Sequence, residues 1–451
     1  MASASDATIS PTVSDVGHTD PHLRECRGCG LIQTVPPLFP GARAACPRCA
    51  AVLREVRRDP FNLTLALHVA GLILFCVGST LTLLSVASSG HENSAALFSG
   101  PMGLEHYGMW LVAAIVGITT IAIPAIRLTC MIVVLIGLRL TPPPAWLRGV
   151  FALAEHLRPW SMVEIYLLGL FVAYVKLGDL VHIEIGNALY ALGALTVAMV
   201  AADVAVDDQA VWERLHQAPD PAPARARSAS ALGARLVRIG CDTCGLVSLA
   251  RDGTHCRRCG FRLHHRKPYS IAWTWALSLA ALILYIPANV YPVLTVVRLG
   301  RGNPSTILGG VQELLAAGMW PLALLVFVAS ILVPVVKLIC LGILLVTTQI
   351  GTAWRLKERT VLYRMVDWVG RWSMIDIFMV SLLVALVQLG GVSTVRPGAG
   401  ATAFASVVIL TMFAAQCFDP RLMWDAAEPP TRPAGRYPAQ SAAGHPAQPT
   451  A

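Results

Sequence analysis

Eight of the twelve cysteines occur as four Cys-x-x-Cys pairs, a spacing typical of metal sites. Each pair forms a tight turn that points two thiolates at one ion, and two pairs complete the tetrahedral shell of zinc. The sequence therefore predicts two zinc ribbons, each with one structural zinc ion and no open coordination position. The ligands of the first are Cys26, Cys29, Cys46 and Cys49, and those of the second are Cys241, Cys244, Cys256 and Cys259.

The alternative role for these pairs is thiol redox chemistry of the thioredoxin type. That interpretation requires a βαβ pattern near the cysteines, and the surrounding sequence lacks one. Cysteines in the cytoplasm also stay reduced, which favours metal binding over disulfides. Basic residues flank both ribbons, but beside a membrane such residues more often meet lipid headgroups than nucleic acid. We therefore expect membrane lipids, and no nucleic acid, as partners.

The elements that must position the ribbons are long apolar segments. The chain is 55% hydrophobic and 14% charged, and a helix of about 20 apolar residues crosses the ~30 Å hydrocarbon core of a membrane. The sequence therefore predicts an all-α polytopic membrane protein with eight spans. They lie at about 63–86, 109–138, 161–181, 185–206, 271–297, 318–348, 373–395 and 400–418.

The chain contains one stretch twice. Trp160-Ser-Met-Val-Glu-Ile165 returns as Trp372-Ser-Met-Ile-Asp-Ile377, and upstream Gly108-Met-Trp110 returns as Gly318-Met-Trp320. A register kept over so many positions is the mark of a duplicated structural unit. We therefore predict two tandem four-helix transmembrane modules, each preceded by a small zinc ribbon.

The repeat and the changes in composition divide the chain into seven parts. Most of the 35 Lys and Arg residues fall on the side of the ribbons, which the positive-inside rule assigns to the cytoplasm together with both termini. No signal peptide is expected before the first apolar run. The predicted parts are a disordered N-terminus (1–25), zinc ribbon 1 (26–62), transmembrane module 1 (63–206), a linker (207–240), zinc ribbon 2 (241–267), transmembrane module 2 (268–418) and a disordered tail (419–451).

Charged residues inside the spans are candidates for function. Such groups are costly in hydrocarbon and are expected to face protein or water. The second span of each module carries a base, Arg127 or Lys337, three residues after a proline, and the third carries an acid, Glu164 or Asp376. One hypothesis is an ion pair between base and acid within each module. The other is that the acids lie at helix N-termini, where negative charge is favourable.

The third span of module 1 carries a second charged pair. Lys176 and Asp179 share a helix face at a spacing of three residues, whereas module 2 has Gln388 at the position of the lysine. The pair could form part of a proton or substrate path, or a lock between helices. The structural alternative is a pair whose charged ends extend to the outer interface of the bilayer that the chain spans.

A proline motif distinguishes the first span of module 2. Pro287-Ala-Asn289-Val-Tyr-Pro292 contains two prolines, and the aligned residues 77–82 of module 1 contain none. Prolines interrupt helical hydrogen bonding, and interrupted helices at membrane depth are tolerated where they line a cavity. We therefore predict a broken or kinked helix beside a cavity in module 2, and a different task for each module.

This combination of motifs resembles the paraquat-inducible protein A family of Gram-negative inner membranes. The resemblance covers about residues 24–425 and rests on the cysteine pairs, the proline motif, Arg371-Trp-Ser-Met-Ile-Asp376 and Phe418-Asp-Pro-Arg-Leu-Met-Trp-Asp425. It implies two fused modules, each a zinc ribbon with four membrane helices. It also implies partnership with an MCE-domain protein whose tunnel carries lipid across the periplasm.

The expected function is therefore lipid transport between the inner membrane and a periplasmic MCE-domain partner, in support of envelope integrity. The sequence contains no GxxxxGK[ST] motif, so we expect no nucleotide and no enzyme activity. Energy would come from a partner or from proton movement through Lys176 and Asp179. Two alternatives are a membrane stress-response or redox protein that uses the cysteine pairs, and a passive anchor for assembly.

Overall fold

Two copies of one helical module make up most of the molecule, as the sequence repeat predicts. The computed structural model describes residues 23–57, 59–88, 91–178, 182–216, 237–298, 301–386, 388–389 and 393–428. The helices of the first half are α1 (Asn62–Thr80), α2 (Ser99–His106), α3 (Trp110–Gly117), α4 (Ile123–Gly137), α5 (Leu147–Leu157), α6 (Val163–Gly178), α7 (Asn187–Ala205) and α8 (Asp208–His216). Those of the second half are α9 (Ser270–Val290), α10 (Ile307–Ala316), α11 (Trp320–Phe327), α12 (Val333–Ile350), α13 (Leu356–Gly370), α14 (Ile375–Leu386), α15 (Ala399–Cys417) and α16 (Arg421–Ala427).

Seven helical segments of the described chain are long and apolar enough to cross a membrane. The eighth predicted span corresponds to α6, which has 16 residues. The chain is therefore a multi-pass membrane protein, mostly helical as predicted. The seven segments are Asn62–Thr80, Trp110–Gly137, Asn187–Ala205, Ser270–Val290, Trp320–Ile350, Leu356–Leu386 and Ala399–Cys417.

The second span of each module continues through a proline. A five-residue π-helical turn, Ile118–Ala122, joins α3 to α4 just before Pro124, and the turn Val328–Leu332 joins α11 to α12 just before Pro334. Proline lacks the N–H of a regular helical turn, and a wider turn re-aligns the chain around it. The two helices therefore stay continuous, with the same distortion at the same place.

Each module also has a small antiparallel sheet at the ends of its spans, which we did not predict. In module 1 the strand order is β6-β5-β7, and in module 2 it is β11-β10-β13-β12. The apolar residues of β5 and β10 continue the apolar helices before them, so hydropathy extends the predicted spans into these strands. The strands are β5 (Leu84–Ser88), β6 (His91–Ala95), β7 (His182–Ile185), β10 (Leu294–Arg298), β11 (Arg301–Ser305), β12 (Gln388–Leu389) and β13 (Ser393–Pro397).

The prediction of a broken first span in module 2 is wrong. Helix α9 runs through Pro287 and ends at Val290, and the side-chain amide of Asn289 donates to the Tyr285 carbonyl at 2.9 Å. Pro292 lies beyond the helix end, where its carbonyl accepts from the Gly400 N–H at 3.1 Å. The motif therefore ends α9 and ties the start of β10 to α15.

Two segments predicted to lack structure contain helices. Helix α8 lies in the predicted linker and buries Trp212 and Leu215. Helix α16 lies in the predicted tail and buries Met423 and Trp424. Both helices are short and are flanked by polar, Pro-rich sequence, so the composition of the surrounding segments hides the apolar residues that anchor them.

The two modules pack against each other through α6 and α14. Tyr166 and Phe378 meet edge to face, with ring centroids 5.6 Å apart. A Cβ added to Gly169 of α6 would lie 3.0 Å from the Phe378 Cβ, so glycine permits this close approach. Every residue of α14 is buried. The centre of the molecule is therefore the interface between the modules.

Candidate functional site

Each ribbon is built from β-hairpins that bring its four thiols together, in the sets predicted. The sulfurs of Cys26 and Cys49 lie 3.4 Å apart and those of Cys241 and Cys259 lie 3.5 Å apart. Four ligands at about 2.3 Å from a tetrahedral ion are about 3.8 Å from one another, whereas a disulfide requires about 2.05 Å. The geometry thus fits two four-coordinate metal sites. The hairpin strands are β1 (Leu23–Glu25), β2 (Ile32–Thr34), β3 (Arg43–Ala45), β4 (Val52–Glu55), β8 (Val237–Gly240) and β9 (Val247–Ala250).

The turns after the cysteine pairs use left-handed backbone conformations. Gly30, Gly245 and Gly260 follow the ligand pairs with φ of 73°, 71° and 76°. Ala50 occupies the same place after Cys49 with φ of 57°. An L-residue in this conformation is strained by roughly 1–2 kcal/mol. Three of the four turns therefore have the residue that their geometry favours, and the fourth does not.

The surroundings of Cys26 favour its thiolate, whereas the hydrogen bond to Cys26 and burial raise the pKa of Cys29. The Cys29 thiol and the Gly28 amide donate hydrogen bonds to Cys26, and they lower the pKa of Cys26 to about 5 although burial acts in the opposite direction. A thiolate, rather than a thiol, is the form that binds metal. All eight cysteines are buried. Each set could therefore hold a metal ion that supports the fold.

Ribbon 1 packs against module 2, which it does not precede. Its cysteines share an apolar cluster with Leu345 of α12 and Trp424 of α16. The Arg364 guanidinium of α13 donates to the Cys49 carbonyl at 3.3 Å and to the Cys49 sulfur at 3.4 Å. A cation at this place offsets the negative charge of a metal bound to four thiolates. Ribbon 1 therefore braces one end of module 2.

Ribbon 2 packs in the converse manner, against module 1. Its cysteines share a cluster with Leu135 of α4, Phe151 of α5 and Trp212 of α8. His156 of α5 stacks on Phe261, with ring centroids 5.3 Å apart. The chain thus crosses over, because each ribbon supports the module that it does not precede. We call the end of the modules that contacts the ribbons the ribbon side, and the opposite end the sheet side.

Arg421 of α16 joins the two ribbons. Its guanidinium, 3% exposed, contacts Asp419 at 2.9 Å, Glu25 beside ribbon 1 at 3.2 Å and Asp242 of ribbon 2 at 3.3 Å. Burial raises the pKa of Glu25 above its ordinary value. Burial also opposes ionisation of Asp419, but hydrogen bonds from Arg421 outweigh it and lower the Asp419 pKa. A single arginine therefore ties three acids from three segments together.

A second ion-pair system lies beside Arg421. The Arg266 guanidinium of ribbon 2 donates to both carboxylate oxygens of Asp425, at 2.6 and 2.9 Å, and also lies 3.3 Å from Glu25. Glu25 accepts in addition from the Gly240 amide at 2.6 Å. Residues 418–425 carry part of the family resemblance, and in the structure this motif holds both ribbons.

The intramembrane base of module 1 pairs with an acid that we did not predict. Arg127, 6% exposed, pairs with Asp203 near the end of α7. Glu164 instead lies in the first turn of α6, as Asp376 does in α14. Asp203 stands near the end of an apolar segment, and no local sequence pattern links it to Arg127.

The equivalent base of module 2 has a different partner. Lys337, 3% exposed, donates to the Thr411 hydroxyl of α15 at 3.2 Å. In the described part of the chain Lys337 forms no ion pair. In both modules the base therefore contacts the fourth span, α7 or α15, and not the acid of the third span as one hypothesis had it.

An apolar cavity of about 50 Å³ lies in module 2 between its sheet and its helices. Leu294 of β10, Gly310 of α10 and Ala401 of α15 line it, with Asp376 of α14 as its charged residue. A Cβ added to Gly310 would have no atom within 4 Å. By contrast, a Cβ at Gly100, the aligned residue of module 1, would lie 2.5 Å from the Ser381 hydroxyl. Residues of module 2 therefore form most of the cavity, and Val112 of α3 in module 1 also lines it.

The family model of paraquat-inducible protein A matches residues 61–216 and 271–428. The chain belongs to the paraquat-inducible protein A family. The two matches correspond to helices α1–α8 and α9–α16, so the family repeat is the module together with the short helix that follows it.

Three relatives of the paraquat-inducible protein A family cover almost the whole chain. Intermembrane transport protein PqiA of Escherichia coli K12 is 33% identical over 90% of this chain and 96% of its own. Lipophilic envelope-spanning tunnel protein A of the same strain is 30% identical over 92% and 95%. A probable intermembrane transport protein of Haemophilus influenzae is 25% identical over 89% and 95%. No solved structure matches the chain significantly.

Some predicted site residues of this family member cannot be placed. Asp179 and the side chains of Lys176 and Gln388 lie outside the described part of the chain. Pro287, Asn289 and Pro292 are not among the residues that line the apolar cavity. Val293, which follows Pro292 directly, does line the cavity, as does Leu294 at the start of β10.

Proposed function

We propose that this chain is the inner-membrane component of a lipid transport system. It passes lipid between the inner membrane and the tunnel of a periplasmic MCE-domain protein, and thereby supports envelope integrity. Similarity to an intermembrane transport protein over 90% of the chain supports this proposal. The name of a second relative, lipophilic envelope-spanning tunnel protein A, supports it as well. The chain needs no enzyme activity for this role.

The observation that carries the proposal is the apolar cavity of module 2. Its lining is mostly aliphatic, with Asp376 as its charged residue, and it is formed by α3, α10, α11, α14, α15 and the sheet. Apolar surface left without a partner inside a protein attracts apolar ligands. The volume of about 50 Å³ fits the end of an acyl chain rather than a whole lipid. An acyl chain would enter here and leave toward the sheet side.

Positive charge supports an orientation with the ribbons in the cytoplasm. Of the residues between spans, only Arg298, Arg301 and Arg396 are cations on the sheet side. The sheets then face the periplasm, where a partner's tunnel would dock. This arrangement puts lipid uptake in the membrane and lipid release at the sheets.

We also propose that the metal in each ribbon is zinc and that its role is structural. Four buried thiolates give a closed shell, so the ion would supply folding free energy and no reactive position. The sulfur distances favour metal over the redox alternative. The ribbons would then fasten the two modules to each other through their crossed packing.

The test is transfer of lipid to the partner. An MCE-domain protein from the same organism is co-expressed with this chain, and the two are reconstituted in vesicles that contain a fluorescent phospholipid. We expect the two proteins to co-purify and the labelled lipid to reach the partner only when this chain is present. Equal labelling of the partner without this chain would exclude the transport role, and co-purification without any transfer would favour the assembly anchor.

A further inference from the structure

A polar cavity of about 170 Å³ lies between the two modules, toward the ribbon-side end of α15. Module 1 contributes Arg158, which follows α5, and module 2 contributes Lys337, Asp367, Arg371 and Gln416. The cavity is therefore lined by three cations and one acid. It is separate from the apolar cavity, with which it shares no lining residue.

Comparison of the modules shows what is missing from this cavity. Arg127 and Lys337 are repeat equivalents, and helices α7 and α15 align over 19 residues each. In that alignment Asp203, the partner of Arg127, corresponds to Ala415. Ala415 lines the polar cavity. Module 2 therefore has the base, and a space where module 1 has the carboxylate.

The Lys337 ammonium is held toward this space by its surroundings. It is 3% exposed, and its described hydrogen bond is the one to Thr411. A Cβ at Gly370 would lie 2.6 Å from its Nζ atom, so glycine leaves room for the ammonium between α12 and α13. Buried cations are normally paired with an anion or with further acceptors. Within the described chain Lys337 has this neutral hydroxyl as its hydrogen-bond partner, and Asp367 lines the same cavity.

The charges of the other lining residues leave the cavity positive. Arg158 also forms ion pairs with Asp203 at 3.9 Å and with Asp208 at 3.6 Å, so part of its positive charge is offset. Asp367 is the one acid of the lining and faces two further cations, Lys337 and Arg371. The volume of about 170 Å³ exceeds that of a cavity of roughly 150 Å³ that holds benzene. A tetrahedral oxyanion fits such a space.

We propose that the polar cavity binds the phosphate group of an anionic ligand. The phosphate oxygens accept from Lys337, Arg158 and Arg371, and the anion takes the place that Asp203 occupies in module 1. Arginine and lysine together are the usual ligands of phosphate in proteins. The phosphate could belong to a lipid headgroup, which rests on the transport function proposed above, or to a free anion.

The test is calorimetric titration of inorganic phosphate into the purified full chain, with three variants. Ala415→Asp supplies the carboxylate of module 1 in place of the anion, and Lys337→Gln removes the buried cation while it keeps a donor for Thr411. Arg355→Gln is the matched control, because Arg355 is exposed, forms an exposed ion pair with Glu358 and does not line the polar cavity. We expect phosphate binding that weakens roughly tenfold or more in the first two variants and stays unchanged in the control.

Two results would overturn the proposal: no phosphate binding by the wild-type chain, or equal binding by all four proteins. If Ala415→Asp does not fold, Lys337→Gln decides the outcome. Prior saturation with a short-chain phosphatidylglycerol identifies the source, since it blocks phosphate binding if a headgroup uses the cavity and leaves it intact if the ligand is a free anion. Phosphate binding without lipid transfer would contradict the proposed transport function alone.

Discussion

The two modules have the same arrangement of helices, but their buried bases have different partners. In module 1 the buried base Arg127 is paired with Asp203. In module 2 Lys337 has the Thr411 hydroxyl and faces a polar cavity. Module 1 thus pairs its buried base with a carboxylate of its own, whereas module 2 has a polar cavity beside its base.

The apolar side of the comparison points the same way. The position of Gly100 in module 1 is filled by Ser381 of the other module, whereas that of Gly310 in module 2 opens on a cavity. Module 1 therefore acts as the support against which module 2 is built. The crossed ribbons link the two, so damage to one ribbon is expected to appear in the opposite module.

The largest expected effect comes from loss of a ribbon ligand. Cys26→Ser is predicted to remove about one zinc ion per chain and to cost several kcal/mol, because metal binding is folding free energy here. Trypsin should then cleave faster near Arg355, on module 2, and Cys241→Ser should expose Arg139, on module 1. Metal analysis and timed proteolysis measure both. Cleavage in the same module for both variants would contradict the crossed packing, and Cys76→Ser, an exposed cysteine of α1, is the control.

The next effect concerns the connection between the ribbons. Arg421→Met should destabilise the chain by about 3–5 kcal/mol, because it leaves the buried Asp419 carboxylate without its guanidinium and leaves Glu25 with Arg266 alone. Thermal unfolding of the detergent-solubilised protein measures the loss, and Arg355→Met is a control for removal of an exposed arginine. A melting temperature equal to that of the control variant would show that Arg421 does not hold the ribbons.

The polar contacts of the two modules should differ in strength. Asp203→Ala leaves Arg127 buried and unpaired, which we expect to cost about 3 kcal/mol, whereas Thr411→Val in module 2 should cost roughly 1 kcal/mol. The double variant Arg127→Met with Asp203→Leu should recover much of the loss. Melting temperatures rank the three variants. Equal losses for Asp203→Ala and Thr411→Val would remove the distinction between a closed module and an open one.

The sequence sufficed for what depends on spacing and hydropathy, namely the cysteine sets, the helical modules and their repeat. It did not suffice for the sheets, because the apolar residues of Leu84–Ser88 continue the hydropathy of α1. The partner of Arg127 was missed because Asp203 lies 76 residues away and pairs through tertiary packing. The crossed ribbons were missed for the same reason, since no local pattern records which module a ribbon touches.

The smallest expected effect is local to ribbon 1. Ala50→Gly should stabilise the ribbon by about 1 kcal/mol, because Ala50 has a positive φ of 57° that glycine adopts without strain. The converse variant, Gly260→Ala in ribbon 2, should lose about as much, since an added Cβ there meets no atom within 4 Å and only the backbone term acts. Resistance to a metal chelator measures both. Lower chelator resistance in Ala50→Gly, or higher chelator resistance in Gly260→Ala, would refute the strain argument.

Whether module 2 handles the lipid is tested most directly by comparing a filled cavity in module 2 with an equivalent change in module 1. Gly310→Leu places a side chain in the apolar cavity, and Gly193→Leu adds the same side chain to α7, where a Cβ also meets no atom within 4 Å. Transfer of labelled phospholipid to the MCE-domain partner is measured for both at equal protein levels. We expect Gly310→Leu to reduce transfer about tenfold or more and Gly193→Leu to leave transfer within about twofold of wild type. Normal transfer by Gly310→Leu, or an equal loss in both variants, would contradict the claim that module 2 handles the lipid.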